Sequence, residues 1–379
     1  MISYITEENK RRKRKRIILT ELYFESVLLG MAYLISQRAP RGIGSFSDDE
    51  HKHTLRKYLL KDMYDGSEVA CYDQLRLTKR NFHDLCTMLR ERCGLSGSVY
   101  VTVEEKVAMF LLVVGHGLKM RLLRGTYKQS LGTISTHFSA VLSAILSMHG
   151  EFIKLPDANV QPPDDYKWKW FGDALGALDG CHVDVSVPVA AQGREGSASD
   201  SRFLCDSMRT DRQDAFVVPH GKYYLADAGY TNGPGFLAPF RSTQYHLKEW
   251  ASSQQQPQTA KELYNLRHSR ARNVVERTFG LWKKKWGILR TQSFFDTKDQ
   301  IRIINACCVL HNFARDRQHM MDNLLLQELD NELASQPIEA DDANSIRSVQ
   351  VTNAWTNFRN QLSDDMFAEY VVAHANLQQ

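Results

Sequence analysis

The stretch Leu266–Arg290, LRHSRARNVVERTFGLWKKKWGILR, constrains the fold more than any other part of the chain. Seven Arg or Lys stand from Leu266 through Lys285, interleaved with Val274, Val275, Phe279, Leu281 and Trp282. No Pro interrupts it and no Gly occurs before Gly280, so the pattern predicts an amphipathic helix. At about 3.6 residues per turn, Arg272, Glu276, Phe279 and Lys283 follow at i, i+4, i+7 and i+11 and share a narrow arc. A carboxylate flanked by two cations has two readings. One is an ion pair on a solvated helix face. The other is an acid that binds a metal beside cations that hold phosphate. The second needs partner carboxylates from elsewhere in the chain.

At 379 residues the chain has room for two or three domains, and 43% hydrophobic with 24% charged residues is a globular composition. A net charge of +4 does not by itself call for nucleic acid. The distribution says more: cations cluster at 10–16, 118–128 and 267–290, and the end of the chain is acidic. The seven Cys, at 71, 86, 93, 181, 205, 307 and 308, show no CxxC or Cys/His spacing that suggests zinc. Their odd number argues against a disulfide framework, so they read as reduced thiols of an intracellular protein.

The run KRRKRKR at 10–16 reads as a nuclear localisation signal or a phosphate patch, or plainly as a solvated charge run. Residues 17–35 are apolar enough to imitate a signal anchor. Glu21 and Glu25 lie inside that stretch, and a charge at membrane depth costs about a few kcal/mol. It is read as an N-terminal helix, with no membrane association, followed by a Pro, Gly and Ser linker to residue 50. From 51 to 155 the pattern is helical. Lys79–Arg92 carries the stripe Phe82, Leu85, Cys86 and Leu89, and Thr102 with Glu105 forms a capping box before an apolar helix to Gly115. A break at Gly125, a short helix and a break near Leu131-Gly132 precede a helix over Ile134–Met148. Ser135, Thr136, His137 and Ser139 open that last helix, and the order suggests a helix-turn-helix reader of DNA, although bundles of this pattern also bind nothing.

After a linker over Pro156–Pro163 the character changes. ALDGCHVDVSVP, residues 177–188, reads as a strand ending at Pro188 on the alternation of Val183 and Val185, with Asp179 at its start. KYYLADAGY, Lys222–Tyr230, reads as a second strand with Asp227 where it gives way to a Gly turn. A loop to Arg241, a polar spacer at 254–258, the opening helix and a buried helix over Ile301–Ala314 follow. Asp179, Asp227 and Glu276 thus occur in order on strand, strand end and helix. Grouped carboxylates can hold two divalent ions, activate a water and stabilise the leaving oxygen of a phosphodiester. Hard oxygen donors suit Mg2+ or Mn2+. Arg272 and Lys283 would neutralise phosphate charge. Other candidates have plainer readings: His182 as a strand-face residue, His311 as a hydrogen-bonded core histidine, Cys307-Cys308 as core packing, and Trp282 and Trp286 as core in preference to base stacking. Ser197–Ser201 forms no nucleophile elbow.

ALDGCHVDV, GSASDSRFL, GKYYLADAGY, FLAPFR, YNLRHSRARNVVERTFGLWKKKWGIL and INACCVLHNF, in that order, resemble the PIF/Harbinger class of DDE transposases, including the Harbinger transposase-derived nucleases and plant ALP-type proteins. The resemblance covers about 70 to 370. It implies an α/β RNase H-like DDE nuclease domain over 165–318, preceded by an all-α helix-turn-helix-like domain over 51–155. A basic segment, 1–50, and an acidic helical tail, 319–379, flank them. It places the family's metal-binding acids on Asp179, Asp227 and Glu276, with 48 residues between the last two. Arg272, Glu276 and Lys283 reproduce an Arg-x3-Glu-x6-Lys signature, and Asp200 is a possible additional acid. It further implies a metal-dependent DNA endonuclease in the nucleus, with DNA and a Myb/SANT-like protein as partners and a possible homo-oligomer. One departure stands out: only twenty residues separate Asp179 from Asp200, where relatives carry a longer piece supplying two further strands. The domain is therefore expected to be shortened. This leaves a second reading open, a domesticated, non-catalytic nuclear protein acting in chromatin complexes, and a third, the product of a decayed element.

Overall fold

The computed structural model describes residues 48–157, 159, 165–186, 208, 216–244, 256–291, 293–315, 322–323, 325–327, 329–330 and 352–376. The basic run 10–16, the apolar stretch 17–35, Cys205, Asp200 and the Ser197–Ser201 segment lie outside them, as do the residues of the short interval beyond Ser186. The described residues divide into two compact units. One draws on Met1–Ile153, Asp184–Ser186 and Lys285–Asp322, and the other on Lys154–Val183, Val187–Lys284 and Asn323–Gln379.

The first unit is helical. Its helices are α1 (Asp48–Asp65), α2 (Glu68–Leu75), α3 (Lys79–Glu91), α4 (Val103–His116), α5 (Met120–Tyr127), α6 (Leu131–Ser147) and the short α7 (His149–Phe152). Hydroxyl side chains start four of them: Ser67, Thr78, Thr102 and Ser130 each accept a backbone N–H one turn on, which satisfies an otherwise orphaned donor. At α4 the box is reciprocal, with the Thr102 N–H donating to Glu105 Oε2 at 2.8 Å. Every residue of α4 from Val107 to Gly115 is buried, as its unbroken apolar run requires. The break expected at Gly125 is absent. Gly125 lies inside α5, and the chain turns at 128–130, where Lys128 takes a left-handed φ of 51° and Ser130 caps α6. The Ser130 cap moves the start of α6 three residues ahead of the apolar periodicity. The axes of α5 and α6 differ by 111°. No single described helix is long and apolar enough to cross a membrane.

The second unit holds β1 (Ala174–Ala177), β2 (Tyr223–Leu225) and β3 (Phe236–Leu237), paired in parallel in the order β1-β2-β3. The strand expected over 177–188 lies earlier. Cys181–Ser186 form no strand, because β1 takes the pairing with β2 and its last ladder bond runs from the Leu178 N–H to Leu225 O at 2.8 Å. Alternation divides β2 between two cores. Tyr223 and Leu225 pack on one face with Phe171, Leu237, Tyr264 and Met366, while Tyr224 and Ala226 pack on the other with Tyr230 and Phe236. The first face is covered by α8 (Ala260–Lys285) and α10 (Asn353–Asn376). From α10, Trp355 donates to Phe236 O at 2.8 Å and Arg359 to Pro239 O at 3.0 Å, so part of the acidic tail belongs to the core of this unit. Helices on a small parallel sheet fit the α/β expectation.

Helix α8 begins at Ala260, six residues before the charged stretch that announced it. Thr259 and Glu262 exchange side-chain bonds with each other's N–H groups, at 3.3 and 3.2 Å, and fix that start. The helix ends at Lys285 instead of Arg290, followed by a 3-10 turn over Gly287–Arg290. A side chain at Gly287 would meet Gly115 O at 2.8 Å, so only glycine allows this approach to α4. After the turn comes α9 (Thr297–Arg315), whose Ala306, Cys307, Val309, Leu310 and Phe313 are buried with the helical first unit. Trp282, Trp286 and His311 are buried core residues, and Cys308 is half-buried.

Candidate active site

Parallel pairing of β1 with β2 decides where the two aspartates go. Ala177 is opposite Leu225, and Asp179 and Asp227 each lie two residues beyond. Two residues restore the same face, so both carboxylates leave the carboxyl ends of adjacent strands on the side of Ala177 and Leu225. That is the face packed against α8. Ligand sites of open parallel sheets form at this end of the strands. A glycine N–H meets each aspartate: Gly180 N–H donates to Asp179 Oδ1 at 3.0 Å, and Gly229 N–H, in the turn after Asp227, donates to Asp227 Oδ1 at 2.8 Å.

Helix α8 brings the third acid. Tyr264, His268 and Arg272 recur every four residues and are all buried, forming one stripe, and Glu276 continues it into solvent with 54% of its side chain exposed. The stripe is anchored to the strand edge. Asn265 accepts the Phe240 N–H at 2.8 Å and donates to Phe240 O at 3.0 Å, and His268 Nε2 lies 2.9 Å from Leu237 O. Burial holds His268 neutral by lowering its pKa to about 3. Asn265 and His268 carried a signal in the sequence, seven and four residues before Arg272, which puts both near the helix face of the Arg272–Glu276 pair.

Arg272 stands where the three acids meet. One guanidinium nitrogen lies 2.8 Å from Asp179 Oδ1 and 3.8 Å from Asp227 Oδ2, and the other donates to Glu276 Oε1 at 2.8 Å. Its side chain is 4% exposed. Burial raises the Asp179 pKa; Arg272 opposes the rise, and the Asp227 and Glu276 charges add to it. These are the signs expected of like charges sharing one site. Lys283 is not on the acids. It hydrogen-bonds the Cys181 thiol, whose pKa burial raises and Lys283 lowers. His182 is exposed on coil beside the site, and among the described residues no group of three or more His, Cys, Asp and Glu is placed to hold a metal ion as it stands. The donor set nevertheless fits a hard divalent cation. Among the described residues, three carboxylates converge on the Arg272 guanidinium, and the Cys181 sulfur is engaged by Lys283.

Comparison with known proteins bears on this arrangement. Residues 153–312, which include all three acids, match the family described as DDE superfamily endonuclease. Residues 51–147 match a family described only as Domain of unknown function (DUF8040). The chain is 25% identical over 218 residues to the human protein named Putative nuclease HARBI1; the aligned part covers 51% of this chain and 61% of that protein. No solved structure matches. The match of residues 153–312 to DDE superfamily endonucleases and the likeness to HARBI1 both support the resemblance to Harbinger-type DDE transposases.

Proposed function

We propose that the protein is a transposase-derived, divalent-metal-dependent endonuclease that cuts DNA phosphodiesters. The observation that carries this is the convergence of Asp179, Asp227 and Glu276 on one cationic point at the carboxyl ends of two parallel strands. Asp179, Asp227 and Glu276 would hold two Mg2+ or Mn2+ ions, whose chemistry is activation of a water and stabilisation of the departing oxygen. The chain's own part is positional. The strands fix two carboxylates in register, α8 supplies the third, and burial of Asp179 keeps solvent from screening its charge. Lys283 and Arg272, on the same helix, supply cations for the phosphates that enter. Asp200 remains a candidate fourth acid.

Three features support DNA as the substrate class. The chain has basic clusters, the DDE endonuclease family match covers the acids, and α5 and α6 cross at 111° over a three-residue turn, as helix-turn-helix pairs do. Lys119, Arg121, Arg124 and Lys128 are exposed along that pair, and Thr133, Ser135, Thr136 and Ser139 are exposed on α6. In this reading α6 reads base edges while the cations hold backbone phosphate. Nuclear location, a Myb/SANT-like partner and a homo-oligomer belong to the same proposal. An intact set of acids favours the nuclease over a non-catalytic chromatin protein. The test is a Mg2+-dependent nicking assay on supercoiled DNA. Wild type is expected to nick, and Glu276→Ala to lose at least about a hundredfold in rate. Equal rates in the two chains, or none in either, would sink the proposal.

A further inference from the structure

Arg272 is an odd phosphate ligand. Its guanidinium is already committed to three carboxylates, its side chain is 4% exposed, and it is held deep on the stripe formed with Tyr264 and His268. Among the described residues, these three carboxylates and one guanidinium sum to a formal charge of −2, the charge that one divalent ion would neutralise. The oxygens that such an ion would need, on Asp179 and Glu276, are the ones that Arg272 contacts at 2.8 Å. A planar fork can span acids on two strands and a helix at once, which a point charge does not.

We infer that Arg272 is the resident counter-ion of the acidic site: it holds Asp179, Asp227 and Glu276 together without metal, and a divalent ion must displace it from their oxygens. This rests on the proposed metal-dependent reading and adds to it a built-in competition. The fork keeps three like charges from driving the site apart, so the site is preassembled. It also raises the metal concentration at which the site fills. Arg272 is thus a positioning residue in the metal-free state, and the displaced guanidinium becomes available to phosphate. Glu276, half exposed and one turn away on the same helix, is the partner best placed to let go first.

The experiment is Mn2+ binding to the full chain, followed by the electron paramagnetic resonance signal of the free ion, together with thermal melts without metal. Arg272→Gln is expected to bind Mn2+ at least about tenfold more tightly than wild type while melting lower in the absence of metal. Arg272→Lys, which keeps one cation but loses the fork, is expected to fall between them in affinity. A residue with a merely structural role would shift affinity the other way. Arg272→Gln binding no more tightly than wild type overturns the inference. Should that variant fail to fold, Arg272→Lys decides, and an affinity equal to or below wild type overturns it. Asp179→Asn separates this inference from the reading beneath it. Mn2+ binding by wild type that Asp179→Asn abolishes upholds the metal site whatever Arg272 does, and no binding by any chain overturns both.

Discussion

Gly229 shows how closely single residues are held at the acids. It stands two positions after Asp227, gives it an N–H at 2.8 Å, and a side chain there would come within 3.1 Å of Asp227 Oδ1. Nothing else crowds that position, so Gly229→Ala tests the carboxylate and not the core. It is expected to fold with a melting temperature within about 2 °C of wild type and to nick DNA about tenfold or more slowly, because small misplacements of a positioned group are costly. Unchanged nicking would show that Asp227 tolerates the shift. At this scale the sequence spoke clearly about identity and poorly about orientation. The i, i+4, i+11 arc put Arg272, Glu276 and Lys283 on one face, yet Arg272 is buried, Glu276 is exposed and Lys283 contacts Cys181. Helical periodicity fixes which residues share a face; what stands opposite them comes from strand register, which no short-range pattern records.

At the scale of elements, α8 is a rod pinned to the sheet edge by Asn265. That side chain is fully buried and serves both the N–H and the C=O of Phe240, and it donates to Thr243 O at 3.2 Å as well. Asn265→Ala would leave a backbone donor and acceptor buried without their partner, at about 1–3 kcal/mol each. Urea unfolding is expected to register a loss of roughly 2–6 kcal/mol, with nicking reduced in parallel because the same helix carries Arg272 and Glu276. Asn265→Asp keeps the acceptor for the Phe240 N–H but sets a buried carboxylate oxygen against Phe240 O and Thr243 O, so it is expected to lose at least as much as the alanine variant; a clearly smaller loss would contradict this account. Caps account for the element boundaries. The Thr102–Glu105 box was legible and holds, the Thr259–Glu262 pair was equally legible and overlooked, and Gly125 was overread as a breaker although a single exposed glycine costs a helix only about 1 kcal/mol. The strand expected at Val183 and Val185 failed because alternation describes a half-buried surface only beside a strand to pair with, and among the described residues none pairs with Cys181–Ser186.

Across the whole molecule, three histidines far apart in the chain share one condition. His116, His268 and His311 are each held well below the ordinary histidine range, at about 3, about 3 and about 4, with burial as the leading cause in every case. His116 Nε2 donates to Gln74 O, 2.7 Å away, and His268 Nε2 to Leu237 O. The unfolded chain exposes all three at a pKa near 6.5, so between about 6.5 and 4 it binds more protons than the folded one. Stability is therefore fully present above about pH 6.5 and is lost as the pH falls toward the folded values. The slope is up to about 1.4 kcal/mol per pH unit for each histidine, so roughly 4 kcal/mol per unit when all three contribute. Urea unfolding at pH 7.5, 6.5 and 5.5 is expected to show little change over the first step and a steep fall over the second. Because His268 lies beneath Arg272 whereas His116 and His311 belong to the helical unit, unfolding followed separately in the two units should show acid sensitivity in both. A fall confined to one unit would mean that the histidines of the other take up protons without unfolding it.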